Sequence, residues 1–175
     1  IHKPQFRDSR KKHFGQDLAS AVRPHYIKDS LTLGEDCFNF GFLNQEHMFN
    51  SMPDWNWSGY GKLWTYHLNS FDYLNQKSIN KETGLKLIEA FYLSRYTIVD
   101  GMEAYPLSLR GNNWIRFFTK HKIHKFDSFL YDQYALLRRS LEYHLLGNHL
   151  LENSVSLALG SIYFELDLPK EALEA

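Results

Sequence analysis

The chain has 175 residues and 20.7 kDa, with Lys+Arg and Asp+Glu both at 20, so its formal charge is zero apart from nine histidines. That size suits one domain with a real core, and the charge balance argues against a nucleic-acid binder, which needs a clearly basic surface. The single Cys37 excludes an intrachain disulfide framework, and no apolar run approaches the roughly 20 residues of a membrane span.

From Ile1 to about Ser58 no helical period is sustained. The opening "IHKPQFRDSRKKHF" is basic but lacks the apolar centre of a signal peptide. "SLTLGEDCFNFGFLN" alternates briefly at Leu31 and Leu33, then at Phe38, Phe40 and Phe42, with Gly34 and Gly41 as breaks, which predicts two short strands and turns. "NWS" at Asn56 fits a glycosylation acceptor. Residues 1–58 therefore read as an irregular segment with short strands, and 59–175 as a helical domain.

Leu63, Trp64, Tyr66, His67, Leu68, Phe71 and Leu74 predict a helix over Lys62–Leu74. A second is expected over Asn80–Tyr96, with Asn80 as its N-cap and Glu82 in the first turn. After a loop around Asp100–Pro106 come helices over Leu109–Phe118, Phe126–Leu146 and Leu150–Phe164. Gly147 suits the position just past a helix end, and Pro169 with Glu171 opens one more helix. Antiparallel helices on short loops, the last begun and not finished, read as a helical-hairpin array continued by a further part of the same protein.

Aromatic residues reach 16% and sit among polar ones, as in "DWNWSGYGKLWTYHLNSFDYL". They fit either a well-filled core or a wet, oriented binding cleft. The break at Gly147-Asn148-His149 also has two readings. It can be a plain joint, in which Gly ends one helix and Asn caps the next. It can equally be a site, because a helix N-terminus offers free N–H groups to an anion and Asn148 and His149 add donors.

"LWTYHLNSFDYL", "YPLSLRGNNWIRFF" and "LEYHLLGNHLLENSVSLALGSIYF" resemble, in order, signatures of the N-terminal toroid domain of the heparinase II/III-like family. The resemblance runs from about Phe40 to Phe164. It implies an all-α, incomplete (α/α) toroid, no cofactor, an acidic polysaccharide as partner, and a periplasmic or cell-envelope location. The implied reaction is β-elimination next to a uronate, a polysaccharide lyase activity. Asn148 matches the carboxylate-binding Asn and His149 its neighbour, as the catalytic pair. The family reads closer to Asn-Asn-His-Gly, whereas here Gly147 precedes and Leu150 follows. The remaining catalytic groups are expected beyond Ala175, so the chain alone should be inactive. The competing expectation is a non-catalytic glycan-binding or scaffold toroid.

Four further residues are candidates for substrate binding. Arg110 could fork a uronate or sulfate, or anchor a loop. Tyr105 and Trp64 could stack on sugar faces or be buried, and His67 could line the cleft or be a hydrogen-bonded core residue. His121 and His124 have Lys neighbours and no nearby Cys, so no metal site is expected there. Hydrolysis would need two carboxylates flanking a cleft, for which only Glu142 and Glu152 lie near the break.

Overall fold

The computed structural model describes Gly15, Leu18, 28–141 and 148–164. The break at Gly147, the carboxylate of Glu142 and the helix start at Pro169 and Glu171 lie outside these residues. Among the described residues, an all-α body of five helices follows a small antiparallel sheet.

The sheet has three strands rather than two: β1 (Leu31–Leu33), β2 (Phe38–Phe42) and β3 (Gln45–Phe49), in the order β1-β2-β3. Phe38 pairs with Phe49 and Phe40 with His47, so the aromatic positions of both strands share one face. That face buries Phe40, Phe42 and Phe49 against the first helix and the turn after it. Phe40 meets the Tyr73 ring at 4.9 Å and Phe42 meets Trp64 at 5.1 Å, both edge-on. Gln76, buried to 1% exposure, acts as a surrogate strand for the edge of β1. Its Oε1 accepts from the N–H groups of Ser30 and Leu31 at 3.0 and 3.2 Å, and its Nε2 donates to the Leu31 carbonyl at 2.6 Å.

Helix α1 spans Lys62–Ser70 and stops four residues short of the expected Leu74. Phe71 turns left-handed (φ 60°) and a 3-10 turn, Asp72–Asn75, follows. Tertiary contacts explain the early stop. The last carbonyls of a helix need partners, and here the Tyr73 hydroxyl donates to Leu68 O (3.0 Å), Arg110 to Asn69 O (3.0 Å) and Asn113 to Ser70 O (2.9 Å). The turn drives Phe71, fully buried, between Trp55, Phe91 and Trp114.

Helix α2, Lys81–Ser94, starts as its sequence dictates, with the Asn80 side chain accepting from Thr83 N–H at 2.9 Å. Helix α3 runs Ala104–His121 and begins well before Leu109. Pro106 falls in its first turn, where a missing N–H costs nothing. Helix α4, Asp127–Arg139, ends earlier than the Leu146 expected. Helix α5, Asn148–Tyr163, already includes Asn148, one position earlier than an N-cap role requires.

Contacts along the helices fix their directions. Lys62 meets Glu103 at 2.7 Å and Ser70 meets Asn113, so α1 and α3 run parallel. His149 stacks on Tyr105 and Ser156 bonds the Ser108 carbonyl, so α5 runs the same way. Gly84 lies against Phe117 while Phe91 meets Trp114, so α2 is antiparallel to α3. Gln133 meets Arg110 and Phe129 meets Trp114, so α4 is antiparallel too. The result is two layers, α1-α3-α5 against α2-α4, with α3 central and buried nearly all round. The sheet covers the outer flank of α1. At the other end, α5 carries exposed Leu151, Val155 and Ile162 on one stripe.

Candidate functional site at the helix N-termini

Because α1, α3 and α5 are parallel and adjacent, their N-termini lie along one rim. On it sit Lys62 and Tyr66 from α1, Glu103 and Tyr105 from α3, and Asn148 and His149 from α5. Asn148 and His149 are both exposed. The His149 imidazole lies on the half-buried Tyr105 ring, centroids 4.3 Å apart and planes 26° from parallel. Of the residues singled out from sequence, His149 and Tyr105 come together, with Asn148 next to His149 in the chain.

The other three candidates do not join them. Arg110 is fully buried at the heart of α3. Its Nη1 donates to the carbonyls of Asn69 (3.0 Å) and Gly101 (2.8 Å), its Nε to Gln133 Oε1, and its guanidinium lies 4.6 Å from the centre of the Phe91 ring. Burial pulls its pKa down from the ordinary value to about 9. Every direction of its fork is therefore spent on the interior, and it anchors the loop at Gly101 instead of facing a ligand. Trp64 is also fully buried, its indole N–H donating to Gln45 O at 3.3 Å on the edge of β3. His67 is half-buried, stacked on Phe42 with centroids 5.6 Å apart. Burial lowers its pKa, opposed in part by Asp72.

Sequence reasoning missed the charged part of the rim. Glu103 is the N-cap residue of α3, where an acid complements the helix dipole, and its Oε2 accepts from Gly101 N–H at 2.8 Å. Lys62 bridges to Glu103 at 2.7 Å and to Asp100 at 3.4 Å. Tyr66 hydrogen-bonds both Lys62 and Glu103, and burial followed by the Glu103 bond pushes its phenol up to about 12. Burial alone would raise Glu103, but bonds from Lys62, Tyr66 and the backbone hold its carboxyl below the usual range. The bond to Glu103 holds Lys62 charged well above its ordinary pKa. The available signal was Glu103 just ahead of "AYPLSL", an acid before a Pro-marked first turn, which the loop assignment hid.

The remaining polar residues serve the frame. The Asn56 amide donates to Thr97 O and accepts from Val99 N–H, tying two loops. His124 Nδ1 lies 2.8 Å from Asp127, a fully buried carboxylate that also takes the Tyr163 hydroxyl and Gly15 N–H, each at 2.8 Å. His121 packs on Phe117. Among the described residues no group of three or more His, Cys, Asp or Glu could hold a metal ion, and no helix is long and apolar enough to cross a membrane.

Chemically, the rim offers an amide, an imidazole and a phenol ring beside three helix N-termini, with Lys62 already neutralised by two carboxylates. That set can orient an acidic or hydroxyl-rich ligand by hydrogen bonds and stacking. No family model matches the chain, and no curated protein or solved structure was found to match it.

Proposed function

We propose that this chain forms the first hairpins of an (α/α) toroid in a polysaccharide lyase, acting by β-elimination on uronate-containing glycans. Asn148 and His149 hold the sugar carboxylate, with Tyr105 as the adjoining stacking surface. One observation carries this reading: Asn148 and His149 are exposed at the start of α5, with the His149 ring stacked on Tyr105. The two-layer arrangement, with alternate helices parallel, supports the array, and the three ordered sequence motifs supply the family.

The energetics define what the pair contributes. Removing the proton alpha to a carboxylate builds charge on that group, and hydrogen bonds to a charged group contribute about 1.5–3 kcal/mol each. At about 1.4 kcal/mol per tenfold, two donors give roughly two to four decades, short of the six or more of an enzyme. A positioned base and a proton donor for the leaving oxygen are also needed. We assign them to protein beyond Ala175, so residues 1–175 bind glycan without cleaving it.

A second reading, a non-catalytic glycan-binding toroid, is favoured by the charge at the rim. Arg110, the strongest anion fork near it in sequence, is spent in the core, and Lys62 is paired with Glu103 and Asp100. Ultraviolet absorbance of the unsaturated uronate separates the two when the whole polypeptide carrying this chain meets uronic-acid polymers. Product that forms and is abolished by Asn148→Ala supports the lyase. Binding without absorbance supports the second reading, and neither binding nor absorbance overturns both.

A further inference from the structure

Beneath the rim lies Asn153, with no exposed surface. The Ser108 hydroxyl, also fully buried, has a single proton, and it is committed to the Ala104 carbonyl at 2.8 Å. The Asn153 group that faces Ser108 Oγ at 2.6 Å must therefore be the donor, Nδ2. In that orientation Nδ2 also lies 3.2 Å from His149 O and 3.2 Å from Ala104 O. One amide thus joins a carbonyl in the first turn of α5, a carbonyl in the first turn of α3 and the hydroxyl one turn along α3. The Ser156 hydroxyl, bonded to Ser108 O at 3.0 Å, secures the same seam further along.

We propose that Asn153 is the positioning residue of the rim. By fixing the His149 backbone to the start of α3, it sets the stacking of the imidazole on Tyr105 and holds Asn148 outward. The inference rests on the reading of this rim as the binding surface, but its geometry is testable without a glycan. An acid at this position keeps the shape of Asn and replaces the donor with an acceptor, so the His149 and Ala104 carbonyls would both face an oxygen and only the Ser108 hydroxyl could turn its proton to it.

The test is nuclear magnetic resonance of the histidine side chains in the whole chain. The Tyr105 ring shifts the His149 carbon-bound protons upfield, a signature assigned by its loss in Tyr105→Leu and by the missing signal in His149→Gln. Asn153→Asp is expected to move the His149 signals to their positions in Tyr105→Leu. Ser108→Ala, which removes one partner only, is expected to move them part of the way. Ser156→Ala is expected to leave them in place while loosening the same helix pair. Should Asn153→Asp not fold by circular dichroism, the contrast between Ser108→Ala and Ser156→Ala carries the test. The proposal is overturned if Asn153→Asp folds and keeps the signature, if Ser108→Ala leaves it untouched, or if Ser156→Ala disturbs it as much as Ser108→Ala does. A rim that fails to bind uronate while these shifts behave as stated removes the glycan reading and leaves the positioning role.

Discussion

Arg110 and the Asn148–His149 pair stand on helices packed side by side, and their chemistry looks alike on paper: each is a donor set that an anion would welcome. Arg110 has no exposed surface and gives its protons to main-chain carbonyls and a glutamine, whereas Asn148 and His149 face outward. The difference is position along the helix. The middle of α3 is enclosed by α1, α2, α4 and α5, so any polar side chain there must find partners inside or cost the fold dearly. At the start of α5, Asn148 and His149 are exposed.

Perturbing the interior should therefore move stability, and perturbing the rim should move binding alone. The largest effect is expected for Arg110→Met, which leaves the Asn69 and Gly101 carbonyls unpaired. We expect a loss of about 3–5 kcal/mol in urea unfolding. Arg110→Lys should recover only part of it, because an ammonium lacks the planar fork. A loss under 1 kcal/mol on the order-of-magnitude scale of surface substitutions would erase the contrast.

Next comes Gly101→Ala. Gly101 has φ +91°, and an added Cβ would lie 2.6 Å from Asn69 Cβ. Strain and overpacking together are expected to cost about 1–3 kcal/mol. Asn80→Ala removes the α2 cap and should cost about 1 kcal/mol by the same measurement.

Glu103→Gln sharpens the comparison, since Glu103 lies on the rim yet serves the frame. Its folded pKa is held below the ordinary carboxyl value by its bonds to Lys62, Tyr66 and the backbone. The stability it lends is therefore present above the unfolded carboxyl pKa and lost as pH falls through the lower, folded value. Since Lys62 is largely exposed, the loss should be at most about 1 kcal/mol. Above the ordinary carboxyl pKa the two should stand a constant distance apart, and as pH falls below it the wild type should approach Glu103→Gln; parallel curves throughout would remove the clamp. Smallest of all, Asn148→Ala should shift unfolding by no more than about 0.5 kcal/mol, although uronate binding is lost.

Local signals carried far in this chain and then failed for nameable reasons. The Asn80 cap and the starts of α1 and α2 follow from residues that act on their immediate neighbours. The end of α1 does not, because Tyr73, Arg110 and Asn113 terminate it, two of them from another helix. β3 was missed since in "QEHMF" the residues on the sheet's inner face are Gln45, His47 and Phe49, of which Gln45 is exposed, His47 half-buried and only Phe49 a buried apolar residue. Pro106 reads as loop until its place in a first turn is known. Among the candidate site residues, His149 and Tyr105 meet, and Asn148 is exposed beside them in the chain. Residue type could not reveal that Arg110 and Trp64 lie within the core, where enclosure is a property of the assembled layers.

The central claim is that the rim recognises the carboxylate of an acidic sugar. It is tested most directly by titrating uronate oligosaccharides into the isotopically labelled chain, alongside the same oligosaccharides with their carboxyls reduced. The Asn148 side-chain amide, the His149 imidazole and the Tyr105 ring should shift together with the charged sugar, far less with the reduced one, and not in Asn148→Ala. Equal shifts with both sugars, or shifts confined to other parts of the surface, would contradict it.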